Sequence, residues 1–326
     1  MSDYFLTPEL ETAITIALAL NRPLLLTGEP GVGKSSLAAY LAKRDQLPYK
    51  KFVVKSDTKA SDFFYDFDAV GRFASANMPQ DNQDTARFVR FNALGWALLN
   101  TYPKAELVEL SARVDLSGIA EDQPLGHTGQ PNSVILVDEI DKAPRDVPND
   151  LLDEFDHYAF TVKELTYNRM DYTVCHSFKA QNGIKPLLIM TSNDERGLPD
   201  AFLRRCIFHH IPVPPLASGA EDPEVTLDRI LIEHAGHHWS QGGRLAKPFA
   251  DLFKSLRDQP LKKYPGLSEM MWFLQALKGP GSNQHSRHEL RQSALNVLFK
   301  SQQDQEIGKE AVDHFVNAVI NSKNVD

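Results

Sequence analysis

Short apolar runs separated by amphipathic stretches occupy the first two-thirds of the chain. Leu24-Leu25-Leu26 precedes a glycine-rich turn, and Leu37-Ala38-Ala39-Tyr40-Leu41 follows it with helical character. "YKKFVVKS" (Tyr49 to Ser56) repeats the strand pattern with Phe52-Val53-Val54 at its centre, and "VILVDE", "PLLIMTSND" and "CIFHHIPVP" add three more strands. Unbroken apolar runs of this kind suit strands covered on both faces, and helical stretches such as "FNALGWALLN" and "NDLLDEFD" supply the crossovers between them. The pattern predicts an α/β fold, a mostly parallel sheet with helices on both sides. Between the second acidic strand end and "PLLIMTSND", the charged segment Ala159 to Lys179 has hairpin-like patterning. "IPVPPLASGAEDPE" then breaks the rhythm as a proline-rich linker, and the remaining chain is helical in pattern. The expected organisation is a core over residues 1–211, a linker over 212–223 and a helical domain over 224–326. No internal repeat or low-complexity segment interrupts it.

Charge narrows the classes of partner. The 326 residues carry a formal net charge of −8, which argues against a general nucleic-acid binder. Only two cysteines occur, Cys175 and Cys206, without C-x-x-C spacing or a disulfide framework, as expected of a chain in a reducing cytoplasm. "AITIALAL" (Ala13 to Leu20) has the apolarity of a signal segment. Acidic Asp3, Glu9 and Glu11 precede it and no small-residue cleavage site follows. Thr7-Pro8 reads instead as the cap and first residue of a helix. No apolar run is long enough to span a bilayer.

The turn after Leu26 has the most specific chemistry. Gly28, Glu29, Pro30, Gly31, Val32, Gly33, Lys34 and Ser35 form G-x-x-x-x-G-K-S, followed by Ser36. Glycines at this spacing let successive N–H groups face one concavity, and a helix beginning at Lys34 adds the positive end of its dipole. Lys34 is expected to reach the β- and γ-phosphates of ATP, and the Ser35 hydroxyl to ligate Mg²⁺.

"VILVDE" delivers Asp138 and Glu139 at the end of a buried strand, where α/β sheets place ligands. Asp138 is the candidate Mg²⁺ holder, and Glu139 the group that polarises an attacking water. A second acid suits hydrolysis better than transfer to a small-molecule acceptor. "IMTSND" sets Asn193 just beyond another strand, where it either orients that water or caps a turn. "LPDAFLRRC" offers Arg204 and Arg205. These are either a solvated helix end or a source of charge stabilisation at a neighbouring subunit's γ-phosphate.

Other features have ordinary readings. "EHAGHHW" (His234, His237, His238) has metal-like spacing, but Gly236 and the absence of H-E-x-x-H favour solvated or packed histidines. "DFFYDFDAVGRF" (Asp62 to Phe73) reads first as core aromatics and second as a substrate-gripping loop. Lys50, Lys51, Lys55 and Lys59 read as a solvated strand edge. Arg145 is as consistent with plain surface as with a subunit contact.

Taken in order, "GEPGVGKS", "VILVDEIDKAPRDVPNDLL", "TSND" and "LPDAFLRRC" resemble a MoxR-type AAA+ ATPase over about Arg22 to Pro215. The resemblance implies an αβα core with a helical lid, a ring of subunits (usually a hexamer) and ATP sites at subunit interfaces. It matches Asn193 to the first sensor and Arg205 to the arginine finger, with Arg204 as second choice. The Ala159–Lys179 segment corresponds to the insert before that sensor, and part of 57–132 to the helix-two insert. Such proteins often work with a partner carrying a von Willebrand factor A domain, and some belong to bacterial conflict or defence loci. One departure stands out: where the family has a second-sensor arginine, "YPGLSEMMWFLQAL" offers Ser268, Glu269 and Met270. Two other outputs fit the same site, a DNA- or RNA-engaged motor or loader and a nucleotide switch with little hydrolysis.

Overall fold

The computed structural model describes residues 4–76, 85–103, 106, 133–169, 172–181, 183–214, 230, 242–276 and 286–323. Residues 215–223 of the expected linker and the histidine cluster at 233–238 lie outside these residues. Two compact units make up the chain: residues 8–27 with 34–210, and residues 1–7 with 28–33 and 211–326.

The first unit is built on five parallel strands: β1 (Leu24–Thr27), β2 (Tyr49–Val53), β5 (Val134–Asp138), β8 (Leu187–Thr191) and β9 (Ile207–His210), in the order β2-β5-β8-β1-β9. Every residue of β1, β5 and β8 is buried, which is why these segments read as unbroken apolar runs. β2 and β9 form the edges and are partly exposed; Val53, expected at the centre of its strand, is 46% exposed.

Alternation along the strands sends Leu25, Ile135, Val137, Leu188 and Met190 into one apolar cluster. That cluster also takes Leu94, Trp96 and Leu98 of α4 (Ala93–Leu99). Helices α1 (Pro8–Leu20) and α2 (Lys34–Arg44) pack on the sheet through buried Leu10 and Ile14, and Leu37 and Leu41. The fold is therefore the αβα sandwich expected from the alternation of runs.

Smaller elements elaborate this core. β3 (Tyr65–Phe67) and β4 (Val89–Phe91) pair antiparallel, with α3 (Ala69–Ala76) between them in sequence. The segment expected as a hairpin is one: β6 (Ala159–Arg169) pairs antiparallel with β7 (Tyr172–Lys179), with a register shift between Val162 and Thr166. It seats Phe160 between Phe64 (ring centroids 4.9 Å) and Phe178 (5.3 Å), an aromatic layer that ties hairpin to core. The aromatic stretch at 62–73 thus divides. Phe63, Phe64 and Tyr65 are core, while Val70 and Phe73 on α3 are 82% and 74% exposed. Among the described residues the unit also has the short helices α5 (Val147–Asp150), α6 (Leu152–His157) and α7 (Asp200–Leu203).

The second unit is helical: α8 (Gly242–Arg257), α9 (Leu267–Ala276), α10 (Arg287–Leu298) and α11 (Gln302–Lys323). Its centre is a trio of fully buried rings, Phe249 packing against Phe315 at 4.8 Å and Phe273 at 5.3 Å. A capping box starts α10: the Glu289 N–H donates to Ser286 Oγ, and the Ser286 N–H to Glu289 Oε2.

Candidate functional site

The register of the sheet brings the chemistry to one edge. Thr27, Asp138, Thr191 and His210 are the last residues of β1, β5, β8 and β9, so the carboxyl ends of four parallel strands meet there. Asp138 is the hub. Its Oδ1 accepts from the Ser35 hydroxyl and from Thr191 Oγ1, both at 2.6 Å, and Lys51 Nζ lies 2.6 Å from Oδ2. Burial alone would raise the Asp138 pKa. The hydrogen bonds from Lys51, Ser35 and Thr191 outweigh it and hold the carboxyl below its ordinary range, so it stays ionised.

Thr191 has a second function. Its Oγ1 accepts the Glu139 backbone N–H at 2.9 Å, fastening the acidic pair to the neighbouring strand. Glu139 leaves β5 in a left-handed conformation (φ 63°, ψ 50°), a strained turn for a non-glycine residue. The turn is closed by the Lys142 N–H donating to the Glu139 carbonyl at 3.0 Å. The Glu139 carboxylate is held by Lys142 Nζ at 2.7 Å, and this contact raises the Lys142 pKa.

Asn193 sits just past β8 and is half-buried. Its backbone N–H donates to Asp141 Oδ2 at 3.1 Å, and the Glu195 N–H to the same oxygen at 3.0 Å. Asp141 is itself buried and its Oδ1 has no hydrogen-bond partner among the described residues. One carboxylate thus fixes the loop that carries Asn193.

Lys34, the first residue of α2, is buried. Desolvation lowers its pKa, opposed in order by Asp141, Asp138, Asp194 and Glu139. The four carboxylates favour the charged form of this buried lysine against the cost of desolvation.

Within the other unit, the loop Gly28–Gly33 holds Gly31 at φ +89° and Gly33 at φ +98°. Side chains rarely adopt such angles, so these two positions require glycine for the loop to curl. Glu29 and Pro30 are exposed on it, and Val32 is buried. Ser36 on α2 is exposed as well.

The two candidate arginines differ sharply. Arg205 Nε donates to Asp156 Oδ2 at 2.7 Å and its Nη1 to the Ala201 carbonyl at 3.0 Å, while Arg22 pairs with the other Asp156 oxygen. Arg204 is exposed and makes no ion pair among the described residues. Arg145 is exposed too.

The donor set suits ATP and Mg²⁺. A serine hydroxyl and an ionised carboxylate, both hard oxygen donors, meet at 2.6 Å, and the other carboxylate oxygen already draws a cation in Lys51. The positive φ angles of Gly31 and Gly33 curl the loop as a phosphate-binding concavity requires. The family model of the ATPase family associated with various cellular activities (AAA) matches residues 24–215, from the first residue of β1 to beyond β9.

The chain belongs to the AAA family. It is an ATPase-type P-loop protein, and members of the family generally bind ATP with Mg²⁺. No curated protein matches the sequence. Among the described residues no helix of this AAA protein is long and apolar enough to cross a membrane.

Several participants were not evident from the sequence. Thr191, Asp141, Lys142 and Asp156 had no motif to announce them, although D-E-I-D-K places Asp141 and Lys142 one turn beyond the acidic pair. The sequence places Lys51 on a solvated strand edge; its ammonium lies instead 2.6 Å from Asp138 Oδ2.

Proposed function

We propose that this chain hydrolyses ATP as a MoxR-type AAA+ ring protein and couples turnover to remodelling a partner protein. The observation that carries the hydrolytic part is the junction of Ser35 and Asp138 with Glu139 beside them, fastened through Thr191. In this reading the loop Gly28–Gly33 and Lys34 hold the phosphates, and Ser35 and Asp138 hold Mg²⁺. When bound, Mg²⁺ neutralises charge developing on the β- and γ-oxygens. Glu139 takes up the proton of the attacking water, and Lys142 holds its carboxylate in place until then. Asn193, on the loop fixed by Asp141, orients the water from the opposite side. Arg205 completes a neighbouring subunit's site. Asp156 holds its Nε and the Ala201 carbonyl its Nη1, which leaves Nη2 without a hydrogen bond among the described residues, a preorganised donor.

The MoxR assignment rests on "GEPGVGKS", "VILVDEIDKAPRDVPNDLL", "TSND" and "LPDAFLRRC" in that order, and the defence reading on the wording of "DKAPRDVPNDLL" and "LPDAFLRRC". It brings with it a hexameric ring, a partner with a von Willebrand factor A domain and a place in bacterial defence. The chain's acidity disfavours a nucleic-acid motor. The experiment is ATPase rate per subunit against protein concentration for wild type, Glu139→Gln and Arg205→Ala. A rate that rises with concentration, is lost in both variants and partly returns when they are mixed supports shared sites in a ring. A concentration-independent rate untouched by Arg205→Ala refutes the ring, and no turnover at any concentration leaves a nucleotide switch. DNA-stimulated turnover with steep salt dependence would instead identify a nucleic-acid motor.

A further inference from the structure

The phosphate loop has a second set of partners that no motif assigns. Arg257, the last residue of α8, grips Glu29 with both ends of its fork: Nη1 donates to Oε1 at 2.8 Å and Nη2 to Oε2 at 2.5 Å. The same guanidinium lies 5.0 Å from the Phe253 ring centre and 5.6 Å from that of Tyr264, and its Nε is buried without a hydrogen-bond partner among the described residues. The Arg257 side chain is only 27% exposed. A surface ion pair between free side chains contributes little, because two flexible chains must be ordered to make it. Here two rings hold the fork, and bidentate geometry fixes the carboxylate it takes.

The start of α9 closes on the same stretch of loop. A Cβ on Gly31 would lie 2.3 Å from Ser268 Oγ and 2.9 Å from the Ser268 amide nitrogen, and one on Gly266 2.7 Å from the Pro30 carbonyl oxygen. Tyr4 lies over Gly33, where a Cβ would sit 3.1 Å from its ring. Gly31 thus serves a close approach as well as a backbone angle. Residues 29–31 are held between the end of α8 and the beginning of α9.

We propose that Arg257 is a positioning residue for nucleotide binding, which acts through Glu29 to hold the phosphate loop curled and to cancel a negative charge carried on it. The proposal rests on the reading above, that this loop binds ATP. Two effects follow from one side chain. Without Arg257 the loop loses an anchor, and the Glu29 carboxylate loses the cation of its fork on a loop that must accept phosphate. Neutralising Glu29 as well removes the second effect but not the first. The two substitutions therefore combine with a sign that simple loss of packing would not produce.

The test is the Kd of a fluorescent ATP analogue with Mg²⁺, measured on the full chain for wild type, Arg257→Gln, Arg257→Lys, Glu29→Gln and the double Gln variant. Arg257→Gln is expected to weaken binding by about fivefold to tenfold, within the range found for coupled contacting pairs. Arg257→Lys, with charge but no fork, should fall between it and wild type. The double variant should bind more tightly than Arg257→Gln alone. In turnover the Arg257→Gln effect should appear mainly in KM. Unchanged binding in Arg257→Gln, or a double variant as weak as the two losses multiplied, overturns the proposal. If Arg257→Gln does not fold by circular dichroism, Arg257→Lys decides: the proposal requires it to bind more weakly than wild type, and wild-type affinity overturns it. Failure of the parent reading looks different, since the wild type itself would then bind no nucleotide or bind without turnover.

Discussion

Asp156 is the residue whose replacement separates structure from mechanism most cleanly. Its two oxygens take two different guanidiniums, Arg22 on one and Arg205 on the other, with side chains 41% and 33% exposed and its own 27% exposed. Asp156→Asn keeps the shape and removes the charge. Each pair, screened by solvent at this exposure, is worth about 0.5–1 kcal/mol, and the loss also leaves two cations facing each other. The expected cost is about 1–2 kcal/mol, or a fall of roughly 3–6 °C in Tm for a unit of this size. The pH dependence has a defined sign. Burial raises the Asp156 pKa, but the hydrogen bonds and charges of Arg205 and Arg22 outweigh it, so the folded value lies below the ordinary 3.8. Its contribution to stability is then fully present above that value and is lost as pH falls through the folded pKa. Urea unfolding at about pH 7 and about pH 3.5 should show the full gap between wild type and Asp156→Asn at the higher pH and a smaller one at the lower. A gap that is absent at neutral pH, or that does not change on acidification, refutes the ion-pair argument. The same variant tests the role of Arg205. If an oriented Arg205 acts in trans, Asp156→Asn lowers ATPase activity, though less than Arg205→Ala does. Loss of activity in Arg204→Ala with activity kept in Asp156→Asn would give that role to Arg204.

Three further outcomes are expected. Asp141→Ala frees the Asn193 and Glu195 N–H groups, and misplacing the loop should lower kcat by about tenfold to a hundredfold with ATP affinity little changed, read by steady-state turnover. Phe249→Ala empties the centre of the aromatic trio and should cost about 3–5 kcal/mol in urea unfolding; a loss under 1 kcal/mol would mean that the packing is looser than the ring distances imply. Burial pushes the Cys206 thiol up to about 12, so in a Cys175→Ser background it should resist an aromatic disulfide reagent at neutral pH and react at once in denaturant.

The sheet and the phosphate loop were legible because their signals are local. Doubly covered strands must be apolar throughout, and a loop that curls around phosphate needs glycines at set intervals, so "LLLTGEPGVGKS" and "VILVDE" carry their meaning in adjacent residues. Asn193 was legible only because it follows a buried run; the carboxylate that fixes its loop, Asp141, lies on another segment and was not. Val70 and Phe73 show the converse. Their neighbours Phe63 and Phe64 are core, and composition alone could not mark where the burial stops.

Lys51 shows why the rest was hidden. In "YKKFVVKS" the two lysines have the look of a solvated edge, and β2 is indeed an edge strand. Yet β2 pairs with β5 so that Val53 lies opposite Asp138, and Lys51, two residues earlier, shares a face with Val53. From there a four-carbon stem reaches the carboxylate. A shift of one residue in that register would have sent the same lysine to the other side of the sheet. The pairing that gives Lys51 its role is set by apolar contacts of Phe52 and Val54 within the core, not by any residue near the lysine's charge. Arg205 with Asp156 and Arg257 with Glu29 depend in the same way on partners 49 and 228 residues away. The phosphate chemistry of a P-loop protein is written in short words, whereas the side chains that hold its parts in place are chosen by packing that joins distant ones.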